Sequence, residues 1–240
     1  MPGLAHFLEH LLFCGSQRFP KENEYKEYIK SRGGRCNAYT TAQNTNYHFT
    51  VAADGFAGAL ERFASVFEAP LFSPSSTARE INAVNSENSK NQQSDSRRLH
   101  QLMKSLSDGS HPWNKFGCGS KDTLSRGGQG WHDSEEDGGP AGRETRRRLI
   151  EWWETHYCAN RMRLVLVGRG NSYLFIWFSL SLIRRTESLD ALASMAASNF
   201  SSIPNRGLDR SRLVNSAPWS TSGGQVSDIR QSFVQATPDY

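Results

Sequence analysis

The stretch GLAHFLEHLLF, residues 3–13, is rich in helix-forming residues and apolar nearly all round, which predicts a buried α-helix. Within it, HFLEH places His6 and His10 four residues apart, with Glu9 just before the second histidine. Because an α-helix turns about 100° per residue, the two imidazoles lie one above the other, about 40° apart around the axis. Glu9 lies about 60° to the other side of His6. One face of the predicted helix therefore carries two imidazoles with a carboxylate at its flank.

Two neutral imidazoles in this arrangement can bind one metal ion, and Glu9 can reach a water molecule on that ion. The H-x-x-E-H order reverses the H-E-x-x-H order of many zinc proteases and puts the glutamate on the opposite flank. The alternative is that two histidines share a solvated or packed helix face by chance. These five residues leave both interpretations open, since a catalytic zinc site needs a third protein ligand.

Two glutamates further along the chain are candidates for that third ligand. A long helix predicted over roughly 76–106 carries Glu80 and Glu87. Seven residues bring a helix round to within about 20° of its starting face, so both carboxylates point the same way. Either one could complete a His2Glu site with one position left for water. Helical geometry does not choose between them, and a solvated helix face is the ordinary alternative.

The remaining patterns predict helices around a small sheet. RCNAYTTAQNTNYHFTV (35–51) is rich in β-branched and aromatic residues and predicts two antiparallel strands with a turn near 42–44. RLVLVG (163–168) predicts a buried strand. Apolar residues at helical spacing predict further helices over 19–34, 55–72, 143–158 and 187–200. The predicted fold class is α+β, an antiparallel-rich sheet covered by helices.

Composition excludes several classes of protein. The net charge of +4 is spread along the 240 residues, which gives no case for a nucleic-acid partner. The most apolar run, YLFIWFSLSLI (173–183), is too short to span a bilayer, so we expect no stable membrane insertion. The four cysteines lack C-x-x-C spacing and are typical of reduced thiols. These features predict a cytoplasmic protein, with mitochondria and peroxisomes as alternatives.

Longer stretches of the sequence resemble a known family. Residues 3–51, REINAVNSENSKN (79–91) and HPWNKFGCGSKDTL (111–124) closely resemble the insulysin branch of the insulinase (inverzincin) family of zinc peptidases. The resemblance covers roughly residues 2–124 and 147–169, and a weaker similarity extends over 187–206. It implies the fold of an insulinase and processing-peptidase domain.

The resemblance also implies roles for the residues of the predicted metal site. His6, His10 and Glu87 are expected to bind one Zn²⁺ per chain, with Glu9 as the catalytic base. The family places its third ligand 76 residues after the second histidine, and 76 residues separate His10 from Glu87. Glu80 matches a glutamate that orients the ligands without binding the metal.

Substrate-binding residues follow from the same resemblance. On the long helix, Arg97 and His100 replace aromatic residues of the relatives, which changes the neighbouring pocket. Two of the matching positions lie on an edge strand that holds peptide backbone by strand addition, and the others lie beside the cleft. In chain order, these expected substrate-binding residues are Phe13, Asn37, Ala38, Tyr39 and Thr40.

The predicted domain organisation differs from that of the family. Residues 1–206 should form the zinc peptidase N-terminal domain, interrupted by an atypical insertion at 170–186. A linker at 207–225 should lead to the start of a second, truncated domain at 226–240. Relatives have strands before the zinc helix, so this domain is expected to lack its first strands.

The predicted function is that of a zinc-dependent metalloendopeptidase that hydrolyses short peptides, with Glu9 activating a zinc-bound water. The alternative is a catalytically inactive fragment, or a half of such an enzyme that depends on a partner. The isolated chain is accordingly expected to show little or no activity. Besides peptide substrates, the expected partners are the missing C-terminal half or a second copy of the chain.

Overall fold

The computed structural model describes residues 1–125, 127, 129–168 and 188–207. Within these ranges the chain forms eight α-helices and one two-stranded antiparallel sheet. The helices are α1 (Leu4–Leu12), α2 (Glu24–Ser31), α3 (Phe56–Glu68), α4 (Pro74–Gln92), α5 (Asp95–Ser105), α6 (Lys121–Leu124), α7 (Gly139–His156) and α8 (Leu189–Phe200). The strands are β1 (Arg35–Thr40) and β2 (Thr45–Thr50). The predicted α+β class is confirmed.

Helix α1 lies in the middle of the hydrophobic core. It contacts both strands on one side and helices α4 and α7 on the other. Phe7, Leu8, Leu11 and Leu12 are completely buried, and burying a side chain of this size stabilises the fold by about 1.5–3 kcal/mol. The prediction of a buried helix over this stretch is confirmed, and its two histidines are held on a rigid element.

The hairpin β1–β2 forms where the sequence predicts it. Arg35 pairs with Thr50 and Thr40 with Thr45, which leaves the turn at 41–44. Thr41 closes this turn, since its backbone N–H donates to the carbonyl of Asn44 at 2.8 Å. Residues of β1 alternate between exposed and half-buried, as expected for a sheet with one face on the core.

The single long helix predicted over 76–106 is wrong. Helix α4 ends at Gln92, and α5 begins at Asp95 after Ser94 adopts an extended conformation (φ −101°, ψ 117°). The sequence SKNQQSDS (89–96) contains no apolar residue that could hold a continuous helix against the core. Ser and Asp favour helix starts over helix interiors, so the chain turns here and a second helix begins.

The buried strand predicted over 163–168 is also wrong. These residues form no regular structure, and Val165 and Val167 are 81% and 82% exposed. In the described part of the chain, β1 and β2 pair only with each other. A strand is stable when its backbone N–H and C=O groups meet a partner strand, and 163–168 has none among these residues.

Two helix boundaries also differ from their predictions. The helix predicted from residue 19 begins only at Glu24, after a turn in which Asn23 has a φ of 63°. Conversely, α7 begins at Gly139, before the start at residue 143 that the sequence predicts. Pro140 stands in its first turn, where the missing N–H of proline costs no helical hydrogen bond.

The last described residues, 203–207, pack and form hydrogen bonds against the rest of the domain. Ile203 is buried, and the backbone N–H of Ala159 donates to the carbonyl of Pro204 at 3.0 Å. Arg206 donates to the carbonyls of Glu154 and Tyr157, both at 2.9 Å. The predicted insertion at 170–186, the segment 226–240 and all of the predicted linker beyond residue 207 lie outside the described residues. Among the described helices, none has both the length and the apolar character needed to cross a membrane.

A close backbone contact anchors the start of α1. Gly3 (φ +85°) precedes the helix and lies against Gly119, so that a Cβ added to Gly3 would lie 2.2 Å from the Gly119 Cα. No side chain fits in this gap. The contact therefore fixes the 118–119 segment against the N-terminus of α1.

We expect Gly3→Ala to destabilise the domain more than the same change at Gly33. Both glycines have positive φ, but a Cβ at Gly33 (φ +66°) would meet nothing within 4 Å. Backbone strain alone should cost about 1–2 kcal/mol, and the steric clash at Gly3 should add about 1–3 kcal/mol. Urea unfolding monitored by circular dichroism would measure the difference, and equal losses would contradict the close packing.

Candidate metal centre

His6 and His10 lie side by side on α1 and face α4. Their ring centroids are 4.8 Å apart and the rings are nearly perpendicular, at 85°. The Nε2 atom of His6 lies 3.5 Å from Glu87 Oε2, and that of His10 lies 3.6 Å from the same oxygen. One carboxylate oxygen of α4 is therefore shared by the two imidazoles of α1.

The spacing of these atoms fits a tetrahedral metal ion. One ligand atom each from His6, His10 and Glu87 lies within 4.8 Å of the others. With bonds of about 2.0–2.1 Å, tetrahedral zinc separates its ligand atoms by about 3.4 Å, close to the two distances to Glu87. No second group of three such side chains occurs among the described residues.

The other ring nitrogens have partners that fix the orientation of the imidazoles. His6 Nδ1 donates to the carbonyl of Cys118 at 2.7 Å, because a carbonyl oxygen can only accept. His10 Nδ1 contacts Glu80 Oε2 at 3.0 Å. With the proton on Nδ1, the Nε2 lone pair of a neutral imidazole is free for a metal. The Nε2 lone pairs of His6 and His10 can then bind the same metal ion.

The structure distinguishes the two glutamates that helical spacing alone left equivalent. Glu87 lies across the two Nε2 atoms, whereas Glu80 contacts the far side of the His10 ring. The geometry therefore favours Glu87 as the third ligand and Glu80 as the residue that orients His10.

The electrostatics of the site favour a cation. Burial lowers the pKa of His10, but its hydrogen bonds to Glu80 and Glu87 outweigh burial and raise that pKa to about 9. The hydrogen bond to His10 lowers the pKa of both glutamates. Two ionised carboxylates thus converge on a histidine that they hold protonated, which is an environment that a metal cation could also satisfy.

Glu9 lies on the side of α1 that faces the hairpin. It is buried, and Thr40 Oγ1 donates to its Oε2 at 2.5 Å. The hydroxyls of Thr40 and Thr45, a cross-strand pair, lie 3.1 Å apart. Sequence reasoning assigned Thr40 to the cleft and missed its contact with Glu9, because no local pattern links residues 31 positions apart. Sequence reasoning also missed the contact between the carbonyl of Cys118 and His6, which lie 112 positions apart.

The other expected substrate-binding residues are divided between the surface and the core. Asn37, Ala38 and Tyr39 lie on β1, whose second edge is unpaired within the described residues. Tyr39 is 51% exposed. Phe13, in contrast, is only 9% exposed and packs on the ring of Tyr25, with centroids 5.8 Å apart. The structure thus does not bring Phe13 to the surface with the strand residues.

Comparisons with known proteins point to one family. The family model described as "Insulinase (Peptidase family M16)" matches residues 1–110. The insulin-degrading enzyme of Drosophila melanogaster is 42% identical over 206 residues, which cover 86% of this chain and 18% of that protein. A Schizosaccharomyces pombe protein named as the zinc protease mug138 is 41% identical over 204 residues, covering 85% of this chain and 18% of that protein.

A solved structure supports the same relationship. The crystal structure of pitrilysin is similar over 91% of this chain and 20% of that chain, with a TM-score of 0.68 and 27% sequence identity. In length, the chain spans less than a fifth of the curated relatives described above.

Proposed function

The chain belongs to the insulinase family, peptidase family M16, and from this premise we propose that it carries the catalytic centre of a zinc-dependent metalloendopeptidase acting on short peptides. The observation that carries the proposal is the convergence of His6, His10 and Glu87 within 4.8 Å. The relatives described above bear names of proteases, one of them a zinc protease. A cytoplasmic location is also proposed, consistent with four free cysteines.

In the proposed chemistry the metal ion activates the carbonyl and the water, and a side chain of the protein transfers the proton. One zinc ion held by His6, His10 and Glu87 would supply a Lewis acid for the scissile carbonyl and acidify a water molecule. Glu9 would accept the proton of the attacking water and deliver it to the leaving amine. Thr40 occupies one oxygen of Glu9 with a hydrogen bond, which leaves the other oxygen to carry the proton.

The hairpin would position the substrate. The edge of β1 that has no partner strand among the described residues offers the backbone N–H and C=O groups of alternate residues along Asn37 and Ala38, which could bind an extended peptide as an added strand. Tyr39 and Thr40 continue the same strand towards Glu9. A peptide bound here would be held next to the base by main-chain hydrogen bonds, which do not depend on its sequence. Phe13 would support this strand from the core through Tyr47, whose ring centroid lies 5.9 Å away.

The different positions of the two glutamates give a direct test of the metal site. We expect Glu87→Gln to weaken zinc binding much more than Glu80→Gln, because only Glu87 faces both Nε2 atoms. Loss of an orienting partner such as Glu80 should cost about 10–100-fold in affinity. Competition with a zinc-binding dye would measure both variants, each checked for folding by circular dichroism. A larger loss in Glu80→Gln would contradict the proposed ligand set.

A further inference from the structure

We propose that Arg97 and Lys104, with His100 between them, bind a carboxylate of the peptide substrate beside the metal centre. This inference rests on the proposed function, because it concerns which peptides that centre receives. It would make the chain selective for peptides with an acidic side chain or a free C-terminal carboxylate near the bond to be cut.

The three residues occupy one face of α5. Their spacing of three and then four residues places them one above the other on the helix. The His100 ring meets that of Trp113 with centroids 6.0 Å apart, and Lys104 Nζ lies 6.0 Å from the centre of the same ring. This face is therefore turned towards the 111–118 segment, while Leu99 and Leu102 remain 59% and 54% exposed.

The same face adjoins the metal ligands. Lys104 Nζ lies 3.5 Å from the position that a Cβ added to Gly117 would occupy, one residue before Cys118. The carbonyl of Cys118 accepts the hydrogen bond from His6 Nδ1 at 2.7 Å, and Asn91 of α4 donates to Cys118 Sγ at 3.5 Å. A ligand bound on this face would consequently lie next to the 117–118 segment, which holds His6 of the proposed zinc site.

The cations on this face have no carboxylate partner within salt-bridge distance in the described part of the chain, whereas Arg98 pairs with Asp95 at 3.1 Å on the same helix. Lys104 is only 8% exposed, and burial lowers the pKa of its ammonium group. Burial, together with the charges of Lys104 and Arg97, also lowers the pKa of His100. Because most of the Lys104 side chain is buried and no carboxylate neutralises its charge among the described residues, an incoming anion would be stabilised here.

The chemistry of these side chains suits a carboxylate. A guanidinium group binds a carboxylate through two parallel hydrogen bonds, and an ammonium group adds a point charge. The substrates of the proposed reaction are peptides, whose anionic groups are carboxylates. The shared ligand is therefore a peptide carboxylate, from an aspartate or glutamate side chain or from the C-terminus.

Peptide binding can be measured without cleavage in the 240-residue chain carrying Glu9→Gln. Fluorescence anisotropy would compare labelled peptides that differ only by glutamate against glutamine at one position, each with a free or an amidated C-terminus. We expect the carboxylate to tighten binding about five- to tenfold. Arg97→Gln or Lys104→Met should remove this preference, whereas the control Arg98→Gln, on the same helix, should keep it.

The outcomes are distinct. Equal affinities of the acidic and amide peptides, no binding of either, or a preference that survives both substitutions would overturn the inference. A preference that depends only on C-terminal amidation would support it and identify the C-terminus as the source. Zinc content, measured on the same samples, tests the proposed function separately. A zinc-loaded chain without carboxylate preference would contradict this inference alone, and a preference without zinc would contradict only the proposed function.

Discussion

Replacing Glu9 by glutamine should reduce peptide cleavage by a factor on the order of 10² or more while zinc remains bound. The amide keeps the size of the side chain and can still accept the hydrogen bond from Thr40, but it cannot take a proton from water. His6, His10 and Glu87 are unchanged, so the metal content should equal that of the wild type. The variant therefore separates proton transfer from metal binding.

The assay needs a protein in which cleavage is measurable. We would use a chimera in which residues 1–207 replace the aligned segment of the Drosophila melanogaster insulin-degrading enzyme, 42% identical to this chain, and follow hydrolysis of a quenched fluorescent peptide. Glu27→Gln is the matched control, since Glu27 is exposed and, among the described residues, forms its salt bridge with Lys21 at 2.8 Å, away from the metal ligands. Full activity of the Glu9→Gln chimera would rule out Glu9 as the base.

His10→Ala should abolish stoichiometric zinc binding. His10 supplies one of three ligand atoms and is also the contact through which Glu80 is tied to the site. Since loss of an outer partner alone weakens binding about 10–100-fold, loss of a ligand should weaken it by 100-fold or more, as an order of magnitude. Elemental analysis after dialysis should give about one zinc per wild-type chain and very little for the variant.

His48→Ala provides the control for this measurement. His48 lies on the exposed face of β2, where its ring contacts the Asn46 side chain at 3.0 Å and lies 6.5 Å, between centroids, from the ring of Tyr39. This variant removes one imidazole without touching the site and should retain its zinc. If the wild type, His10→Ala and His48→Ala all carry equally little metal while folded, the proposed site does not bind zinc.

The parts of the fold that sequence predicted correctly depend on local patterns. Helix α1 follows from apolar residues all round its axis, and the hairpin follows from β-branched and aromatic residues on either side of a polar turn. The two histidines on one helix face also follow from spacing alone. The choice of Glu87 over Glu80 does not, because both glutamates satisfy the same helical period. It needed the family resemblance, and the ring contacts now support it.

The parts that sequence did not predict depend on contacts between distant segments. The break at 93–94 occurs where no side chain anchors α4 to the core, which a count of helix-forming residues cannot detect. Residues 163–168 have the composition of a strand but no partner strand in the described structure. The contacts of Thr40 with Glu9 and of Cys118 with His6 join residues 31 and 112 positions apart, beyond the reach of any local motif.

The hydrogen bond between His6 and Cys118 determines when the site can form during protein synthesis. These residues are 112 positions apart, and a ribosome adds about 5–20 residues per second, so His6 emerges roughly 6–22 s before its partner. During that interval the nascent α1 lacks part of the packing that buries Phe7, Leu8 and Leu11 completely in the folded domain. Contacts between residues far apart in sequence form slowly, and until they form, exposed apolar surface can aggregate. The helix that carries the histidines is therefore a segment that a chaperone would protect while translation continues.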